Sequence, residues 1–176
     1  MELKKIPHTI SYRKVKYSRL EFVTGELHIV LPYGANPEAV YQKHRRWVKK
    51  KFDFIEECKK VGAERDPLHR SIEEFKESVC ICAANAEKEL NETVKKLAFR
   101  KMRTKWASCN SKGNISINTL MKDMPQELID YVVYHEVAHL KQMRHNKKFW
   151  GIIARRFPHY QELEKELSIY WFCLNA

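Results

Sequence analysis

His135 and His139 stand four residues apart in this 176-residue chain, with Glu136 directly after the first. On a helix of about 3.6 residues per turn, positions i and i+4 lie one above the other on the same face. Two imidazoles placed this way hold a single zinc ion, and Glu136, about 100° around the helix, reaches a water beside it. Leu128, Ile129, Val132, Val133, Val137, Ala138 and Leu140 surround the motif with apolar side chains. A helix apolar almost all round is a buried helix. Two histidines and a carboxylate inside it are costly unless something satisfies them, and a metal with its water does so. The competing reading is a helix with two hydrogen-bonded core histidines and a salt-bridged glutamate.

His145, six residues past His139, is the preferred third ligand. One turn of chain returns it to the ion, and Asn146 beside it is a good cap for a following helix. The +6 spacing is that of metzincin sites. Their glycine position is Gln142 here, so the turn must be made without glycine. His159, Glu162 and Glu164 remain alternatives, as in gluzincin sites, where a following helix supplies the third ligand. Three neutral histidines leave a fourth tetrahedral position open, the mark of catalytic zinc. Zinc brings the pKa of its water near 7 and polarises a carbonyl. Glu136 then takes the water's proton and passes it to the leaving amine. Tyr131, Tyr134, Tyr160 and His159 are candidate donors to the transition state. No Ser/His/Asp set or phosphate-binding glycine loop competes.

The elements that must position these residues follow from pattern. Residues 9–31 read as a β-hairpin or short meander with Thr24-Gly25 as its turn. Asn36 and Pro37 open a helix running to about residue 59, with Val40, Trp47, Val48, Phe54 and Ile55 inward. Residues 61–70 are a loop. Ser71 and Glu74 form a capping box, and the helix they open runs to about residue 95 with Ile72, Phe75, Val79, Cys82, Ala86 and Leu90 inward. One short strand then carries Phe99, Met102, Trp106 and Cys109. A turn at residues 110–114 leads into a second strand with Ile115 and Ile117. The metal helix spans about 125–142, the helix capped by Asn146 carries Phe149, Trp150 and Ile153 on one face, and the last helix covers about 159–171. A single α+β domain over 1–176 results, with a hairpin and basic helix in 1–60 and a metal-binding core in 71–176.

Charge and composition bound the partners. There are 33 Lys and Arg against 22 Asp and Glu, a formal charge of +11. Such a surface attracts polyanions. Residues 94–122 hold eight Lys and Arg and no acid, which makes that stretch the candidate contact for nucleic acid or a nucleotide. No helix-turn-helix, zinc-finger or ribonucleoprotein signature accompanies it. Five cysteines, an odd number without a C-x-x-C pair, exclude a disulfide framework and a zinc ribbon and fit a reducing cytoplasm. The N-terminus has no apolar signal segment, and no run of about 18 apolar residues spans a membrane. Scarce Gly and Pro, 5 and 6, favour helices.

The motifs together resemble those of the YgjP-like metallopeptidase domain, a zincin-like family near the WLM and SprT groups. Residues 105–115, Lys-Trp-Ala-Ser-Cys-Asn-Ser-Lys-Gly-Asn-Ile, resemble its Arg-Trp-Gly-Ser-Cys-x-Ser-x-Gly-x-Ile segment. Residues 130–140 resemble its metal helix, and residues 145–150, His-Asn-Lys-Lys-Phe-Trp, its His-Ser-x-x-Phe-Trp segment. The N-terminal hairpin and the Trp47 helix fit as well, extending the resemblance over nearly the whole chain. It implies a zincin-like α+β fold, with a small N-terminal and central β-sheet and a helical zinc-binding half. It also implies zinc at His135, His139 and His145, with Glu136 catalytic and a peptide or protein substrate. The Trp106–Cys109 strand would run along the cleft, making Trp106, Ser108, Cys109, Lys105 and Lys112 the substrate-side residues. Two departures stand out. Ala107 replaces a glycine, which bears on how closely a substrate backbone approaches, and Asn146 replaces a serine cap. A second chemistry also fits the sequence. Zinc beside Lys101, Arg103, Lys105 and Lys112 would suit hydrolysis of a phosphoanhydride or phosphodiester.

Overall fold

Thr24 and Gly25 both take positive φ, 50° and 91°, the left-handed pair that a two-residue hairpin turn requires. They join β2 (Arg19–Val23) to β3 (Glu26–Leu31), with Val23 opposite Glu26 and Arg19 opposite Val30. β1 (His8–Tyr12) lies along the other side of β3 and runs parallel to it. The expected meander is therefore corrected. The hairpin is present, but residues 13–18 carry the chain across the end of β3, so β1 and β2 occupy opposite edges. Leu27, Ile29, Val30 and Leu31 are all buried, the near-continuous apolar run of a central strand.

The computed structural model describes residues 3–175. The chain divides into two compact units, Met1–Ala63 and Glu64–Ala176. In the first, α1 (Pro37–Gly62) follows the sheet, capped by Asn36, whose side chain accepts from Glu38 and Ala39 N–H. Its buried positions are Tyr41, Val48, Ile55, Cys58 and Gly62. Tyr41 and Val48 close a core with Leu3, Ile6, Leu27, Ile29 and Leu31. Trp47, expected inward, is 42% exposed. Its ring lies 6.1 Å from Phe22 of the hairpin, where only part of the indole is covered.

The second unit is built around one helix. α2 (Ile72–Leu90) begins at the expected capping box: Ser71 Oγ accepts from Glu74 N–H at 3.2 Å, and the Glu74 carboxylate accepts from Ser71 N–H at 3.0 Å. It stops at Asn91, left-handed at φ 50°. The second sheet has the order β4-β6-β5, from β4 (Lys96–Arg100), β5 (Ala107–Cys109) and β6 (Asn114–Asn118). β4 is parallel and β5 antiparallel to β6. The single strand expected through Phe99, Met102 and Trp106 is thus two strands. Residues 101–106 leave the sheet because the fully buried Asn118 holds them: its amide donates to Met102 O and Lys105 O, both at 2.9 Å, and accepts from Met102 N–H at 3.2 Å.

α3 (Gln126–Lys141) packs against α2, β5, α4 (Lys147–Arg156) and α5 (Tyr160–Leu174). Ten of its residues are buried, polar Glu136 and His139 among them, so the helix is enclosed as its composition predicts. Sheets and helices segregated in this way make an α+β fold, the class the sequence implies. Among the described residues, no helix is long and apolar enough to cross a membrane.

Candidate active site

α3 stacks His135 and His139 with ring centroids 5.1 Å apart. The chain then leaves the helix at Gln142, whose φ of −146° and ψ of 100° are ordinary extended values. The turn needs no left-handed residue here, which is why a glutamine stands where glycine was expected. Asn146 caps α4 by accepting from Lys148 and Phe149 N–H at 3.0 and 3.1 Å. Between these two fixed points His145 swings back over the helix. Its Nε2 lies 2.9 Å from His135 Nε2. One nitrogen from each of His135, His139 and His145 lies within 4.8 Å of the other two.

This donor set fits a zinc ion. Nitrogens bound tetrahedrally at about 2.0–2.1 Å sit roughly 3.3 Å apart; His135 and His145 bring two at 2.9 Å, and all three donors lie within 4.8 Å of one another. A metal also needs neutral imidazoles. Burial, then the neighbouring His139 and His145, push His135 down to about 3, and burial lowers His139 as well. His139 Nδ1 lies 3.1 Å from Gln142 O; donation there fixes the tautomer that leaves Nε2 free to coordinate. His135 turns its Nδ1 toward Glu164 Oε1, 3.9 Å away, and the same carboxylate accepts from Tyr131 OH. Glu164, an alternative third ligand on sequence grounds, therefore sits behind His135 on the nitrogen that faces away from the cluster. Among the described residues, His159 and Glu162 join no metal-holding group.

Glu136 is 8% exposed. Burial raises its pKa to about 7, against the opposing pull of a hydrogen bond from the Cys109 backbone and of the Lys105 charge. The backbone contact follows from strand alternation. Asn118 N–H donates to Trp106 O at 2.8 Å and Asn110 N–H to Asn114 O at 3.1 Å, so residues 106, 108 and 110 turn their peptides toward β6. Ala107 and Cys109 turn theirs to the free edge, where Cys109 N–H meets Glu136. The Ala107 methyl, 7% exposed, belongs to the core cluster; the departure from glycine is absorbed by the interior.

The remaining substrate-side residues are placed unequally. Lys105 is exposed and close enough to act on Glu136. Ser108 is half-buried on the strand face opposite Cys109. Burial and then Glu136 raise the Cys109 thiol to about 11, so it stays protonated. Trp106 is committed elsewhere: its indole N–H donates to Leu167 O at 3.3 Å and its ring meets Trp171 edge-on at 4.9 Å. Lys112 lies in the exposed β5–β6 turn. Of the candidate donors, Tyr131 is bonded to Glu164, Tyr134 donates to Glu89 at 3.0 Å, and Tyr160 stacks on Trp150 at 4.9 Å.

An aromatic support was not foreseen from sequence. Phe149 touches all three histidines, with centroids 4.6–4.8 Å away. Trp150 stacks on His145 at 5.6 Å. The apolar stripe of α4 pointed to core packing; it is also the surface that holds the imidazoles upright.

A buried His-Glu-x-x-His helix, a third histidine from the following turn and an edge strand beside the glutamate define a protein of the zincin-like class. The YgjP-like family, described as a metallopeptidase domain, matches residues 65–170, and the chain belongs to it. The family match thus falls in the second unit. A protein of Escherichia coli (strain K12) named UTP pyrophosphatase is 29% identical over 68 residues, 39% of this chain and 41% of that protein's length. Two crystal structures of metallopeptidase zymogens are also similar. Abylysin of Pyrococcus abyssi has a TM-score of 0.47 at 24% identity, over 51% of this chain and 90% of that one. Jannalysin of Methanocaldococcus jannaschii has a TM-score of 0.45 at 25% identity, over 52% and 92%.

Proposed function

We propose that this chain is a zinc-dependent metallopeptidase that hydrolyses a peptide bond laid along β5. The observation that carries the reading is Glu136: a buried carboxylate with a pKa near 7, fixed by the edge strand and next in the chain to His135 of the three converging imidazoles. His135, His139 and His145 would hold the ion. Zinc, when bound, supplies the Lewis acid that polarises the scissile carbonyl and acidifies water. The outward peptide of Ala107 offers a donor and an acceptor to an extended substrate. A Glu136 oxygen takes the proton from the attacking water and delivers it to the leaving nitrogen; a pKa close to neutrality serves both transfers. Among the described residues none of the five cysteines is joined in a disulfide, which fits action in a reducing cytoplasm.

A second reading has its own support. Lys105 stands beside Glu136, Lys101 and Arg103 are exposed in the same loop, and a relative bears the name UTP pyrophosphatase. In that reading the basic stretch 95–122 meets a nucleotide or nucleic acid and its cations neutralise phosphoryl charge.

The test sets a quenched neutral peptide library beside UTP, using zinc-loaded protein. Peptide cleavage should fall about 10³-fold in kcat/KM for Glu136→Gln with zinc content unchanged, while His139→Ala should lose the metal. Pyrophosphate release from UTP that Lys105→Ala abolishes, with peptides untouched, would replace the first reading by the second. Protein that takes up no zinc would remove both.

A further inference from the structure

Between Leu3 and Leu20 the chain carries Lys4, Lys5, Arg13, Lys14, Lys16 and Arg19 and no carboxylate. The first sheet gathers much of this at one end. Tyr12 and Leu31 finish the parallel strands β1 and β3 side by side, and β2 starts at the same end with Arg19 opposite Val30. Residues 13–18 cross that end, and Tyr33 follows two residues past β3. Three tyrosines therefore stand together in the topology with little cover: Tyr12 is 43% exposed, Tyr17 73% and Tyr33 75%. Arg13, Lys14 and Lys16 are exposed among them, and in the described residues none of the three is in an ion pair. Lys16 Nζ lies over the Tyr17 ring, 5.2 Å from its centroid. Among the described residues the neighbouring acids in sequence are engaged: Glu21 pairs with Arg19 at 3.4 Å, Glu26 lies 3.6 Å from His28 Nε2, and Glu38 accepts from Gln42 at 2.7 Å.

We infer that this end of the first sheet is a docking surface for a single-stranded polynucleotide. Exposed rings interleaved with unpaired cations suit that partner on two counts: the rings stack on bases, and the cations meet phosphates. A duplex offers the charge but hides the faces of its bases, so the tyrosines would find nothing to stack on. An anionic bilayer offers the charge too. It favours large apolar anchors, and the apolar side chains exposed here, Ile10 and Val15, are only 38% exposed each. The site lies wholly in the unit that lacks the imidazole cluster, so it stands independently of the proposed hydrolase.

The test uses the full chain and fluorescently labelled dT12 and rU12, followed by anisotropy at several salt concentrations. The wild type should bind both strands at least about tenfold more tightly than a 12-base-pair duplex. Replacing Tyr17 and Tyr33 by Ala together should weaken binding at least about tenfold with no change in charge. Replacing both by Phe should restore it. Lys14→Glu with Lys16→Glu should weaken binding and flatten the salt slope by about 1.4, two phosphates' worth on a single strand. His139→Ala should bind as the wild type does. Equal affinity for the duplex, an unaffected tyrosine double variant or no binding at low salt would overturn the inference. So would tighter binding to phosphatidylserine vesicles than to either oligonucleotide.

Discussion

Two histidines of the cluster have a neighbour on the nitrogen that does not face their partners. For His139 it is Gln142 O, and for His135 the Glu164 carboxylate. A carboxylate behind a metal-binding imidazole raises its basicity and sets its orientation. Glu164→Gln should therefore weaken zinc affinity about tenfold to a hundredfold, read by competition with a chromophoric chelator. An unchanged affinity would reduce Glu164 to a partner of Tyr131 alone. At this scale the sequence exposes what is local and hides what is not. His135, Glu136 and His139 are legible because a helical period fixes their relation before any fold is known. His145 is legible from its distance along the chain and the Asn146 cap. The sequence offers Glu164 only as a rival ligand, because its place behind His135 depends on how α5 packs. The Cys109 N–H on Glu136 carries no side-chain signal at all.

Between residue and fold, one element explains why the sequence misleads about the second sheet. The run from Phe99 to Cys109 has strand character throughout, yet Asn118, a polar residue at 0% exposure, draws residues 101–106 out of the sheet. Its amide geometry is invisible in sequence. Removing it strips partly buried backbone groups of their partner, at up to about 1–3 kcal/mol each. Asn118→Ala should thus lower stability by several kcal/mol in urea unfolding and loosen the Lys105 loop. α2 supplies a second prediction, because it presents one thiol on each side. Cys80 is exposed, whereas Cys82 donates to Asp130 at 2.6 Å. Burial and then that contact raise Cys82 from 9.0 to about 12. A pKa raised on folding stabilises the protein below the unfolded value and ceases to do so as pH climbs from about 9 to 12. At pH 8.5 iodoacetamide should modify Cys80 and spare Cys82, as peptide mass spectrometry would report; equal labelling would mean that the α2–α3 contact opens readily.

The whole molecule divides its two physical characters between its two units. Residues 1–63 hold 14 Lys and Arg against 7 Asp and Glu, so most of the +11 charge belongs to the unit that does not carry His135, His139 and His145. Each unit has a core of its own, the first on Leu27, Leu31, Tyr41 and Val48, the second around α3. All three imidazoles belong to the second. A ligand that binds only the folded state stabilises it by RT ln(1 + [L]/Kd), about 4 kcal/mol at a thousand times Kd. Zinc should therefore act unevenly. Stripping it with a chelator should speed amide hydrogen exchange in β5, α3 and the start of α4, and lower the melting point of the transition to which they belong. Among its described residues the first unit has no imidazole cluster to lose, and its amides in β3 and α1 should exchange at the same rate with and without the metal. Exchange that quickens equally in both units would mean that the two cores fold as one. Exchange unaltered in either would mean that the three imidazoles hold no ion that matters to the fold.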